Sequence, residues 1–324
     1  MCRRYWSRIA LALLLSSAIL PVTRAPAQEY PARPITFVVG FAPGGFADGV
    51  ARLIGGKLSE RLGQNVVIEN RAGGGGNIAG ALVSKAAPDG YTVLVTTTGL
   101  AINETISKDK GFALGDLRPV AIPAWAPETL SVHPSSPAKT LAELIQIGKI
   151  KPINFGSPGV GTSGHIANAY FFKVLAKVEA VHVPFQGGAP ALNAALGGHV
   201  DALAGAIPGY AGQFQSGLLR GLAVGAEKRL PGFPNIPTYG EGGFPELVAS
   251  TWVGVFVPAK TSDAIVDKLN KAINDIVRDP GAKEQFRKFT TETREGDRSD
   301  TTAFFKRDVE QWKKMITGIG LGSP

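Results

Sequence analysis

Apolar residues along this chain change period repeatedly, and the changes mark out alternating strands and helices. Ile35, Phe37, Val38 and Val39 form a β-branched and aromatic run suited to a strand covered on both faces. From Val50 the spacing becomes helical: Val50, Leu53, Ile54, Leu58 and Leu62 share one face, and Gly63 stops the helix. Between strand and helix, Pro43, Gly44 and Gly45 let the backbone bend sharply. The unpaired N–H groups of the helix start then face the bend, an arrangement that receives a carboxylate or a phosphate.

The alternation continues with a strand at 66–68, a glycine run at 73–76, a helix at 78–87 and a strand at 91–95. Strands alternating with helices through short glycine-rich turns predict a doubly wound α/β fold, with mostly parallel sheets. At 119–132 the chain turns proline-rich and extended, as a crossing between two lobes would. A second series follows, in which helices at 141–147, 165–177 and 190–196 precede strands at 153–155, 181–183 and 200–204, ending on 221–224. A Pro/Gly-rich passage at 231–245 leads back to an apolar strand at 253–257. Two amphipathic helices close the chain, one on Ile265, Leu269, Ile273 and Ile276, the other on Phe305, Val309, Trp312 and Ile316. Both stripes are expected to pack on the core, with partner binding as the alternative for the second.

The first 27 residues read as a secretory signal: a basic start at Arg3, Arg4 and Arg8, a short apolar core at 9–20, and the small-residue pattern Ala25-Pro26-Ala27. Cleavage is expected after Ala27, with a periplasmic destination. The only cysteine, Cys2, precedes that apolar core, so a mature chain without thiols or disulfides is expected. The formal charge of +8 falls to +4 once Arg3, Arg4, Arg8 and Arg24 are removed. The remaining bases lie among acids, as in Arg278-Asp279 and Lys283-Glu284, which argues against nucleic-acid binding.

Gly159, Gly161 and Gly164 form a G-x-G-x-x-G that follows a strand and opens a helix, so a dinucleotide competes with a small carboxylate for this turn. Thr162 and Ser163 supply hydroxyls that a carboxylate uses well, and nicotinamide cofactors are not generally available outside the cytoplasm. There is no G-x-S-x-G, no H-E-x-x-H and no metal-spaced Cys/His cluster. Of the four histidines, His165 has the best placement for a ligand, behind Thr162 and Ser163 at a helix start. Asp48 lies in the first turn of the first helix, where it can complement the helix dipole or touch a ligand. Thr97 and Thr98 close the third strand at the carboxyl edge of the sheet, where open α/β sheets bind ligands.

Taken together, these segments resemble the periplasmic solute-binding receptors of tripartite tricarboxylate transport systems, the Bug-type receptors. The resemblance is carried by Phe41-Ala-Pro-Gly-Gly45 with Asp48, Val67-Ile-Glu-Asn-Arg71, Ala87-Pro-Asp-Gly-Tyr91, His133-Pro134, Gly161-Thr-Ser163 with His165, His182-Val-Pro-Phe185 with Gly187, and Val200-Asp201. It implies a two-lobed, periplasmic-binding-protein-like fold that closes on a small carboxylate held by loop backbone, hydroxyls and bridging water. The implied lobes are 28–125 with 251–324, and 126–250. The implied ligand-binding residues are Phe41, Gly44, Gly45, Phe46, Asp48, Thr97, Thr98, Ser157, Gly161, Thr162, Ser163, His165, Phe185, Gln186, Gly187 and Gly205. Two departures bear on the ligand. Ala204-Gly205-Ala206 stands where many members carry an acid or amide, which removes a partner for a ligand ammonium, and Leu100 makes another wall apolar. A bulkier, apolar or aromatic ligand is therefore expected rather than an amino acid, with Phe46 placed to stack on it or to pack between loops.

The expected function is an extracytoplasmic receptor, monomeric and without cofactor or catalysis, that delivers a carboxylate to a membrane permease or a sensor kinase. The alternative is an exported enzyme, either a nucleotide-dependent oxidoreductase or a hydrolase built on Ser163.

Overall fold

The computed structural model describes residues 30–321 apart from 108, 289 and 319; the expected signal and its cleavage point lie outside the described residues. Strand β1 (Ile35–Val39) leads through the glycine bend into helix α1 (Phe46–Leu62), and strand β2 (Val66–Asn70) follows. Gly63 ends α1 in the left-handed conformation, donating its N–H to the Ser59 carbonyl. Helix α2 (Asn77–Ser84), strand β3 (Thr92–Thr97) and helix α3 (Gly99–Ile106) complete the first series. Sequence pattern did not mark α3. Its residues 99–103 are all buried, which erases the polar face that gives a helix its period.

Strand β4 (Leu117–Val132) opens the second series, continued by helix α4 (Leu141–Gly148), strand β5 (Ile153–Ser157), helix α5 (Ser163–Tyr170) and strand β6 (Ala180–Pro184). Helix α5 is shorter than the predicted 165–177, because a π-helical turn at Phe171–Leu175 takes over. Helix α6 (Gly188–Leu196), strand β7 (Ala202–Ala206), helix α7 (Ala211–Gln215) and strand β8 (Arg220–Val224) end the series. Strand β9 (Ser250–Pro258) returns the chain, followed by helix α8 (Asp263–Arg278), helix α9 (Pro280–Lys288), strand β10 (Glu292–Thr293) and helix α10 (Arg298–Gly318).

The strands lie in the order β2-β1-β3-β9-β4-β7-β5-β6. Strand β1 pairs in parallel with β2 and β3, and β5 with β6 and β7. Between these parallel halves, β9 and β4 run antiparallel to their neighbours. The molecule is thus a mixed α/β structure of two lobes joined through an antiparallel centre. Strand β4 carries the chain across, since Leu117 to Pro127 pair with β9, and the residues from Glu128 onward pair with β7 and β8. Its prolines fit because the β4–β9 register slips at Pro119/Ala121 and Ala121/Ala124, where the ladder does without regular donors.

Each half has its own core. Val38, Leu94, Leu100, Trp252 and Phe256 pack against Phe305, Trp312 and Ile316 of α10, while Leu130, Phe155, Phe171, Phe172 and Tyr239 form the core of the other half. The C-terminal stripe therefore faces inward, as its spacing predicted. Phe305 meets the rings of Trp252 and Phe256 edge-on at 5.9 and 5.1 Å. Ile316→Ala, at a fully buried position, is expected to cost about 2–5 kcal/mol in urea unfolding. A loss of only a few tenths would show that α10 does not belong to the core.

Candidate functional site

Two glycine-rich loops meet from opposite halves of the sheet. One runs from the end of β1 through Phe41 to Gly45, and the other from the end of β6 through Phe185 and Gln186 to Gly187. They touch backbone to backbone, with Ala42 N–H donating to the Gln186 carbonyl at 2.9 Å. Side chains would keep them apart. A Cβ on Gly45 would lie 3.3 Å from the Gly188 nitrogen, and one on Gly187 only 2.9 Å from the Ala42 nitrogen. Gly187 also holds φ at +151°, which L side chains rarely adopt.

Beside this contact is a cavity of about 450 Å³, counting the part continuous with solvent. The first loop and the start of α1 contribute Phe41, Gly45, Phe46 and Ala47; the ends of β3 and β9 contribute Thr97 and Thr251. From the other half come Pro158, Thr162, Ser163, Gly164, Gly188 and Tyr210, with Glu128 from β4. No side chain caps α1 at Gly45, so its first N–H groups have no side-chain acceptor at the positive end of the helix dipole. Helix α5 is capped by Thr162, whose hydroxyl accepts from His165 N–H at 3.3 Å.

Of the sequence-predicted residues, Phe41, Gly45, Phe46, Thr97, Thr162 and Ser163 line this cavity. The others do not line it. Gly44 lies on an adjacent groove with Leu53 and Phe286. The Asp48 carboxylate is taken up internally, accepting from Gly44 N–H, Arg52 Nε and Asn70 Nδ2, each at 2.9 Å. Burial opposes its charge, yet these hydrogen bonds and the nearby guanidinium prevail and hold the carboxyl below its ordinary pKa. Asp48 thus braces the loop. Thr98 is fully buried, where its hydroxyl oxygen accepts from Trp252 N–H at 2.9 Å. Ser157 hydrogen-bonds His182 Nε2 at 2.7 Å.

His165 does not reach the cavity lining. Its Nδ1 accepts from Gly161 N–H at 3.2 Å, and its ring stacks on His182 with centroids 3.8 Å apart. Burial lowers the His165 pKa to about 4; burial and the neighbouring His165 lower that of His182 to about 3, so both rings are neutral at neutral pH. Phe185 packs in the hydrophobic cluster around Val200 and Tyr210. Gly205 lies against the Tyr210 ring, and Leu100 is in the core of the first half rather than on a ligand wall.

Sequence reasoning missed Glu128, Tyr210 and Thr251. Glu128 of β4 pairs directly opposite Ala206 of β7, the end of the segment 204–206 that carries no acid of its own. Its Oε1 accepts the Ser163 hydroxyl at 2.5 Å. Complete burial pushes its carboxyl up to about 7, which the Ser163 hydrogen bond offsets only in part. The signal was a glutamate inside the mostly apolar run 120–132, where the other polar residues are the uncharged Thr129 and Ser131. Among the described residues, no three His, Cys, Asp or Glu converge as a metal site would.

A cleft between two α/β lobes, walled by glycine-rich helix starts, defines a solute-binding protein. More particularly, the chain belongs to the tripartite tricarboxylate transporter receptor family, whose model matches residues 50–321. It is 36% identical over 326 residues to the UPF0065 protein in the tcbD-tcbE intergenic region of Pseudomonas sp. (strain P51), covering 99% of this chain and 95% of that one. Among solved structures it is similar to R. palustris Rpa4515 with adipate (TM-score 0.87, 32% identity, 91% of this chain and 99% of that one). It is equally similar in fold to the periplasmic binding protein BugD (TM-score 0.87, 30% identity, 91% and 100%). Family and neighbours are periplasmic solute-binding proteins, not enzymes, and among the described residues no helix is long and apolar enough to cross a membrane.

Because the folded state raises the Glu128 pKa from 4.5 to about 7, its contribution is most favourable below pH 4.5 and is lost as pH rises through 7. Glu128→Gln removes that loss. Relative to wild type it is expected to gain about 2.5 kcal/mol in chemical denaturation between pH about 5 and 8. A difference that does not change with pH would contradict the burial of this acid.

Proposed function

We propose that the protein captures a small organic carboxylate between its lobes and delivers it to the membrane permease of a tripartite tricarboxylate transporter, or to a sensor kinase. One observation carries this reading: the starts of two helices from opposite halves, α1 at Gly45 and α5 at Ser163 and Gly164, line the same cavity. Such a pair receives an anion and rewards closure around it. The adipate of a relative with 32% identity supports the carboxylate class. Phe41 and Phe46 on the wall suit a ligand with an apolar body.

In this reading Phe41, Gly45, Phe46, Thr97, Thr162 and Ser163 touch the ligand. Gly44, Asp48, Thr98, Ser157, Gly161, His165, Phe185, Gln186, Gly187 and Gly205 shape and brace the walls. The moving bodies are 28–125 with 251–324, and 126–250; the mature receptor starts after Ala27 and acts as a monomer. Ligand stabilises the closed arrangement only as far as it binds that arrangement better than the open one.

A cognate carboxylate at about 100 times its dissociation constant is expected to stabilise the fold by about 2.7 kcal/mol, visible as a raised melting temperature. If no member of a broad carboxylate panel does so, the reading fails. Gly187→Val, which must push Ala42 away in the closed form, is expected to weaken that ligand about tenfold in calorimetric titration. Unaltered affinity would mean that this backbone contact plays no part in closure.

A further inference from the structure

Glu128 and Tyr210 stand apart from the rest of the cavity wall. The Glu128 carboxyl is fully buried, and while Oε1 takes the Ser163 proton, Oε2 has no hydrogen-bond partner. The Tyr210 hydroxyl, equally buried, has none either. Buried polar atoms are nearly always paired, so two orphaned atoms on one wall point to a group that arrives from outside. The groups that face Glu128 are hydroxyls: Ser163 from α5, Tyr210 from the turn before α7, and Tyr239, whose own proton goes to Asn168 Oδ1 at 2.7 Å. Among the described residues that line the cavity, none is basic.

A buried carboxyl without a counter-charge is costly when ionised and attracts the opposite charge strongly. Phe41, Phe46 and Tyr210 add aromatic rings to the same lining, and ring faces attract cations. Ala206, the strand partner of Glu128, lines the same cavity. A second carboxylate at this end would meet like charge. A nitrogen cation has an unpaired acceptor at Oε2, another at the Tyr210 oxygen, and aromatic residues in the same lining.

We propose that this end of the cavity selects a ligand bearing a positively charged nitrogen, received by Glu128 and Tyr210, while the ligand's carboxylate faces the start of α1. The proposal rests on the carboxylate-receptor reading and narrows its substrate class from carboxylates at large to zwitterions. Glu128 acts here as the residue that separates an ammonium-bearing acid from a dicarboxylate of the same length.

The test is calorimetric titration of the mature protein with length-matched probes: butyrate, 4-aminobutyrate and succinate, then hexanoate, 6-aminohexanoate and adipate. In at least one set the amino acid is expected to bind about tenfold or more tighter than the plain monocarboxylate, and the dicarboxylate more weakly than the amino acid. Glu128→Gln, with its fold checked by circular dichroism, is expected to bring the amino-to-plain ratio close to one. Wild type supplies an independent readout, because the ratio should shrink between pH about 8 and 5 as Glu128 takes up a proton. A dicarboxylate that binds as tightly as the amino acid, or a preference that survives in Glu128→Gln, overturns the proposal and leaves the carboxylate reading standing. Binding by none of the probes counts against both.

Discussion

The site depends on a constraint of size: two loops from opposite lobes must meet with nothing but backbone between them. Ala42 N–H reaches the Gln186 carbonyl only because Gly45 and Gly187 bring no side chain to the seam. The cavity lies beside that meeting, so the glycines that allow it also decide which N–H groups a ligand finds. Asp48 secures the same loop from behind by binding Gly44, Arg52 and Asn70 at once. A residue that reads in sequence as either a ligand contact or a helix-dipole partner thus also ties the loop to α1 and β2.

The other determinant is a long strand. Strand β4 belongs to both halves of the sheet, and its pairing changes from β9 to β7 and β8 at Pro127 and Glu128. A side chain at that change of partners lies where the lobes join, which places Glu128 in the cavity wall. Keeping an acid there opposes stability at neutral pH, since the folded state holds its proton up to about 7. Structures keep such groups where function needs them, and an orphaned Oε2 beside an orphaned phenol fits a recognition role better than a packing one.

Much of this was legible in sequence. The opening strand, the glycine bend and α1 follow from a change of period at Val50, and the C-terminal stripe from its spacing; both lie as expected. Helix α3 was not legible, because burial of residues 99–103 leaves no polar face. Nor was β4 as one strand, because its prolines read as breaks while register slips accommodate them. Six of the expected site residues line the cavity: they lie on the bend from Phe41 into the start of α1, on the turn into α5 at Thr162 and Ser163, and at the end of β3. Glu128, Tyr210 and Thr251 escaped because they come together only through strand pairing and loop packing between distant segments. Motif spacing along one segment cannot express that.

The claim that a ligand is held from both lobes can be examined most directly by hydrogen–deuterium exchange, with and without a carboxylate that stabilises the fold. Binding should slow exchange together in the loop from Phe41 to Asp48, the turn from Thr162 to His165 and the loop from Phe185 to Ala189. Slowing confined to one lobe, or falling outside these segments, would contradict a cleft that closes on its ligand.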